Sequence, residues 1–239
     1  QLFDGRTLFG WTANSGGDWS VVDGVIRAGK GKPGLLLTTV PFADYELRCD
    51  FRLEKGGNSG VFLRTVPGPK DPGRDCYELN ICDSHKDFPT GCLVARHKIE
   101  KSPAVEGEWH TFAVRMVGHR IVVRLDDKPL VDFTDKSEFP RDRGRIGLQM
   151  NGGRIEFRNV LLKPLGTKPL FDGKSLAGWR VVPGSKSKFT VEERTIRVTD
   201  GPGFLETTSS RGDFILQAEA RTNGTNLNSG IFYRDEPGT

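Results

Sequence analysis

The segment Cys76-Tyr-Glu-Leu-Asn-Ile-Cys-Asp83 concentrates side chains that can do chemistry. Read as a strand, it turns Tyr77, Leu79 and Ile81 to one side and Glu78 and Asn80 to the other. The segment Asn58-Ser-Gly-Val-Phe-Leu-Arg64 alternates in the same way, with Val61 and Leu63 inward and Gly60, Phe62 and Arg64 outward. If both strands lie in one sheet, its outer face presents Glu78, Asn80, Phe62 and Arg64 together, with Asn58 at the strand's start. A carboxylate, an amide, a guanidinium and an aromatic ring on one face suit a sugar, because polar forks bind hydroxyls and a ring packs on C–H faces. The competing reading is a solvated cross-strand pair of Glu78 and Arg64, worth little.

The four histidines, His85, His97, His110 and His119, lack the close helical spacing of a metalloprotease motif. His85 lies in the loop after Asp83 and His97 ends a short apolar run, so both are placed to approach Glu78. A divalent-metal site drawn from Glu78, Asp83 and His85 or His97 is therefore a candidate, against the commoner fate of a histidine in a turn or at the surface. No nucleophile-elbow sequence supports a Ser-His-Asp triad. Cys49, Cys76, Cys82 and Cys92 do not form the paired CxxC knuckles of structural zinc. Buried thiols, one disulfide such as Cys82–Cys92, and two disulfides all remain open.

The elements that must position these residues are strands. Tyr45 to Glu54 alternates without a break: Tyr45, Leu47, Cys49, Phe51 and Leu53 face a core and the charged residues between them face out. Shorter runs occur at Trp19–Arg27 (turning at Val22-Asp23-Gly24), Gly60–Thr65, Cys76–Asp83, Gly91–His97 and Glu108–Val117. More follow at Arg120–Leu125, Leu130–Phe133, Gly144–Gln149 and Arg154–Leu162, with a hairpin turn at Asp126-Asp127-Lys128-Pro129. No segment reads as an amphipathic helix. This many short, evenly spaced strands predict an all-β, two-sheet antiparallel sandwich or jelly roll.

The chain also repeats itself. Leu2-Phe-Asp-Gly-Arg-Thr-Leu-Phe-Gly-Trp11 returns as Leu170-Phe-Asp-Gly-Lys-Ser-Leu-Ala-Gly-Trp179, and Asn58-Ser-Gly-Val-Phe-Leu-Arg64 as Asn228-Ser-Gly-Ile-Phe-Tyr-Arg234. So long a period is a duplicated domain and no solenoid. The expected organisation is a complete domain over residues 1–165, a linker over 166–169 and the opening part of a second copy over 170–239. The second copy has counterpart strands at Asp213–Arg221 and Ser229–Arg234, but none for the strand that carries Glu78. Half a sandwich leaves edges and an apolar face uncovered, so it is expected to pack on the first copy, to self-associate, or to be completed by sequence beyond this chain.

The 239 residues, 36% apolar and 28% charged, allow a sizeable core. A net charge of +4, with basic and acidic residues interspersed, argues against nucleic acid as a partner. The longest apolar runs, such as Leu35-Leu36-Leu37, are too short to span a bilayer. The chain opens at Gln1 with no leader, as a mature or excised chain would.

Several landmarks occur in order: the Leu-Phe-Asp-Gly-x-x-Leu-x-Gly-Trp opening, Asn58-Ser-Gly60 with Arg64, Tyr77-Glu78 with Asp83, and Glu108-Trp109. Gly144-Arg-Ile-Gly-Leu-Gln149 and Glu156-Phe-Arg-Asn159 complete the series. Together they resemble the 3-keto-disaccharide hydrolase family, which includes 3-keto-glucoside lyases and hydratases. The resemblance implies a concanavalin-like jelly roll, a bacterial protein exported to the periplasm or beyond the cell, and a carbohydrate partner. It also implies a chemistry. A ketone at C3 acidifies the hydrogen on C2, elimination expels the C1 substituent, and added water completes a net hydrolysis. On this resemblance Glu78 is the base or a metal ligand, and Arg64 acts beside it in catalysis or holds substrate or scaffold. Asn58, Phe62, Asn80 and Asp83 contact or support the sugar. A divalent cation, with Glu78, Asp83 and His97 as candidate ligands, would polarise the ketone. One departure is visible: relatives often place a histidine just after Gly-Leu-Gln, where this chain has Met150-Asn151. The alternative is a non-catalytic glycan-binding or structural module.

Overall fold

The structure is a computed structural model and describes residues 1–212 and 214–233. The chain divides into two compact units, Gln1–Thr167 and Lys168–Thr239.

The first unit is an all-β sandwich in which every pair of named strands is antiparallel. One sheet has five strands in the order β1 (Trp11–Ala13), β4 (Gly34–Thr38), β11 (Arg145–Met150), β6 (Ser59–Thr65) and β7 (Tyr77–Ile81). The other has seven, in the order β10 (Lys128–Thr134), β9 (Arg120–Leu125), β8 (His110–Val117), β5 (Tyr45–Leu53), β12 (Ile155–Pro164), β3 (Val25–Ala28) and β2 (Ser20–Val22). The alternation of β5 delivers Tyr45, Leu47, Cys49, Phe51 and Leu53 to the core. Val61, Leu63, Tyr77, Leu79, Ile146 and Leu148 meet them from the five-stranded sheet. The only helix among the described residues is one turn, Pro72–Asp75, capped by Asp71.

Two hairpins close as their sequences require. Asp126 and Asp127, at φ +48° and +63°, form the two-residue turn between β9 and β10, and Asp23-Gly24 does the same between β2 and β3. All four cysteines are buried free thiols. The expected strand at Gly91–His97 does not form. His97 N–H donates to Leu93 O and Leu93 N–H to His97 O, closing a tight loop around Ala95 at φ +58°. That loop straps the outer edge of β7, with Asn80 N–H on Cys92 O, Gly91 N–H on Asn80 O and Val94 N–H on Glu78 O. It covers an edge that would otherwise be open to pairing.

The second unit contains two small antiparallel pairs, β13 (Trp179–Val181) with β16 (Leu205–Thr207) and β14 (Lys188–Glu192) with β15 (Thr195–Thr199). Its opening turn repeats that of the first unit. Asp172 accepts from the N–H groups of Lys174 and Ser175 as Asp4 does from Arg6 and Thr7. Trp179 Nε1 donates to Leu170 O as Trp11 Nε1 does to Leu2 O. The strands expected at Asp213–Arg221 and Ser229–Arg234 do not form over residues 214–221 and 229–233, and Asp213 and Arg234 lie outside the described residues. In the first unit the corresponding strands β5 and β6 are held by β8, β12, β7 and β11. Among the described residues no strand pairs with these segments of the second unit.

Candidate active site

The candidate site lies on the face of the five-stranded sheet that points away from the core. Register sets Phe62 opposite Glu78 and Gly60 opposite Asn80 across β6 and β7. On the next strand Gly147 faces Phe62 on one side and Leu37 on the other, and Gln149 faces Leu35. Leu35, Leu37, Phe62 and Cys76 form a second, smaller apolar cluster on this face. Gly147 makes that cluster possible, since a Cβ there would sit 3.1 Å from both Leu37 Cδ2 and Phe62 Cβ.

Glu78 is 8% exposed, and burial pushes its carboxyl up to about 7, with one hydrogen bond opposing the shift. That bond comes from Gln149 Nε2, 3.2 Å from Glu78 Oε1. Gln149 Oε1 is buried and finds no donor. The backbone beneath it is fixed by Ser59, whose hydroxyl donates to Gln149 O at 2.7 Å. Gln149 was not singled out in the sequence, yet the signal was present. Ile146, Leu148 and Met150 alternate inward, which sends Gln149 to the face of Glu78.

The position of Glu78 along the chain is secured from behind. Tyr77 Oη donates to Asp135 Oδ2 at 2.7 Å, and Arg96 Nη1 reaches the same oxygen at 2.6 Å with both side chains almost fully buried. Arg96 Nε also donates to Cys76 O, just ahead of β7.

Arg64 does not share the site. A bulge between β11 and β6 breaks the alternation, and Arg64 sits at φ +48°. Its side chain is 0% exposed. Nε donates to Ala43 O, Nη1 to the carbonyls of Gly118 and Arg141, and Nη2 to Asp44 Oδ1. Gly144 permits the approach, because a Cβ there would lie 2.2 Å from the carbonyl carbon and oxygen of Arg64. The expected pairing of Arg64 with Glu78 is thus replaced by a structural tie between loops.

Other expected site residues are also engaged elsewhere. Asp83 Oδ1 accepts from Thr90 Oγ1, and Oδ2 from the N–H groups of Val105 and Glu106, so it clamps the loops flanking β7. Asn80 shares Glu78's face, but its Nδ2 donates to Phe88 O and pins the strap. Asn58 joins β6 to the turn after β11 through backbone bonds with Asn151 and Gly152. Phe62 is 5% exposed and packs in the apolar cluster, leaving no open ring face for a sugar. His97 stacks on Phe133 with 5.0 Å between ring centroids, and His85 Nδ1 accepts from the N–H groups of Asp87 and Phe88. Among the described residues no three His, Cys, Asp or Glu side chains gather to hold a metal ion, so Glu78, Asp83 and His97 do not form the expected ligand set. Cys76, its thiol pushed up to about 12 by burial, is no nucleophile at neutral pH.

A curated relative from Bacteroides thetaiotaomicron, a 3-keto-disaccharide hydrolase, is 26% identical over 225 residues, covering 69% of this chain and 77% of that protein. The crystal structure of a proposed glycosyl hydrolase from Parabacteroides distasonis superposes with a TM-score of 0.60 at 24% identity, over 69% of this chain and 92% of that one. A carbohydrate-binding module from Bacillus subtilis gives 0.50 at 19% identity, over 64% and 95%. At these identities the two structures speak for the fold, a jelly-roll sandwich. Residues 1–163 and 166–239 both match the 3-keto-alpha-glucoside-1,2-lyase-like domain, and the chain belongs to that family.

Proposed function

We propose that this protein is a carbohydrate-active enzyme that cleaves 3-keto-glycosides, with Glu78 as the base that removes the hydrogen on C2. The observation that carries this reading is the buried carboxyl of Glu78, raised to about 7 and held by Gln149 alone among the described side chains. A group half-ionised near neutrality both takes and returns a proton efficiently. In the first step the C2–H bond breaks and its proton passes to Glu78, while the electron pair delocalises onto the C3 oxygen. The C1–O bond then breaks as a C1–C2 double bond forms. Glu78, now a neutral acid, returns the proton to the departing oxygen. Water adding across the double bond gives the hydrolysed sugar. Family membership and the relative from Bacteroides thetaiotaomicron support a carbohydrate-active hydrolase.

The test is release of a chromogenic leaving group from a 3-keto-glucoside by the wild-type protein and by Glu78→Gln. Release by the first and its loss in the second supports the reading. A folded wild type that is silent on both anomers rejects it.

One observation favours a second reading, glycan binding without chemistry. The outer face of the seven-stranded sheet carries a groove of about 450 Å³, with Ala113, Val122 and Leu161 in its lining beside Arg48, Arg115 and Arg124. Retention on an immobilised polysaccharide, unchanged in Glu78→Gln, would favour that reading.

A further inference from the structure

The amide of Gln149 is half used. Its nitrogen donates to Glu78 Oε1, while its oxygen is buried without a partner. An orphaned buried carbonyl costs roughly 1–3 kcal/mol, so natural structures keep few. While Glu78 is ionised it only accepts, so in that state the amide turns its nitrogen to Glu78 and its oxygen away. On the β6 side of that oxygen stands Gly60, which has no side chain. A Cβ on Gly60 would stand 3.2 Å from Leu79 O and 3.4 Å from both Gln149 Oε1 and Glu78 Cγ, a close fit with no room beyond a methyl. The missing side chain leaves a methyl-sized gap beside Glu78 and the free amide oxygen.

We propose that Gln149 is a positioning residue for sugar, its Oε1 accepting a hydrogen bond from a ligand hydroxyl seated over Gly60 while its Nε2 fixes Glu78. The ligand class is a neutral sugar that offers a hydroxyl donor next to the carbon Glu78 deprotonates. This inference rests on the proposed site but does not need turnover. A glutamine that merely filled space would be replaceable by methionine, which matches its length and lacks both polar groups. Gly60→Ala places a methyl in that gap and leaves both polar groups of Gln149 intact.

The experiment uses the full chain labelled with 15N, the Gln149 side-chain NH2 signal being assigned by its disappearance in Gln149→Met. The probe is 1,5-anhydro-3-keto-glucitol, which has no leaving group at C1, with its 2-, 4- and 6-deoxy forms. The expected result is a saturable shift of the Gln149 signal, with affinity falling about tenfold for one deoxy form. In Gln149→Met that deoxy form and the parent should bind alike, because the hydroxyl has lost its acceptor. Gly60→Ala should weaken the parent as well. A signal that no member of the series moves overturns the inference, as does an equal deoxy penalty in wild type and Gln149→Met. Binding with these signatures and no release from the chromogenic substrate would retain Gln149's role and reject the proposed catalysis. Release without a Gln149 shift would do the reverse.

Discussion

At the scale of single residues, Glu78 illustrates a site that costs stability. Its carboxyl titrates near 7 in the folded protein against 4.5 for the free group. As pH rises the unfolded chain ionises first, so ionisation favours unfolding. The penalty is absent below about 4.5, grows up to 7 and is constant above it, reaching roughly 3 kcal/mol. Glu78→Gln should therefore be more stable than wild type at pH 8 and equal to it at pH 4, as urea unfolding at the two values will show. The same substitution should lower kcat/KM by about 10² to 10⁴ on the chromogenic 3-keto-glucoside. For the wild type, kcat/KM should rise with pH to a plateau, with its midpoint at about 7, since the base must be ionised. A midpoint near 4.5 would mean that the carboxyl is solvated, and would remove the reason for choosing it. Parity alone placed Glu78, Asn80 and Phe62 on one face. The same rule, applied to Arg64, assumed a strand without a bulge, and one extra residue reverses every side chain beyond it.

At the scale of elements, Arg64 and the strap decide how firmly β7 and its neighbours are held. Removing a buried guanidinium that serves three carbonyls and Asp44 strips the carbonyls of that donor and leaves Asp44 Oδ1 with the N–H of Gly118. Arg64→Met should cost about 3–5 kcal/mol in thermal or urea unfolding, while kcat/KM of the fraction still folded stays within a few-fold of wild type. A catalytic Arg64 would show the opposite: a stable protein with lost turnover. Hairpins and long strands were readable because alternation and Asp-rich turns are local signals. Neither the Gly91–His97 strap nor Asp83's clamp was readable, since each is fixed by partners distant in sequence. An apolar run of that length fits a strand and a tight loop equally well until its hydrogen-bond partners are known.

At the scale of the whole molecule, the two units differ in what they bury. The first has a continuous core drawn from both sheets. In the second, Phe214, Ile215, Leu216, Ile231, Phe232 and Tyr233 are each more than 40% exposed. A chain ending at Thr167 should keep the cooperative unfolding and the kcat/KM of the full chain, measured by calorimetry and by the chromogenic assay. Residues 168–239 alone should show no cooperative transition and should bind a hydrophobic dye. No helix among the described residues is long and apolar enough to cross a membrane. The sequence repeat showed that the second unit opens like the first, but not that its later segments stay unpaired, because pairing depends on strands contributed from elsewhere.

The strap along β7 bears on how such a site can diversify. An insertion within β11 or β6 would shift a register and turn core residues outward. An insertion beside exposed Lys86, ahead of the bonds that Phe88, Gly91, Cys92 and Val94 make to β7, would lengthen only a loop tip. That tip is thus free to drift in length and composition while the strand that carries Glu78 stays in place.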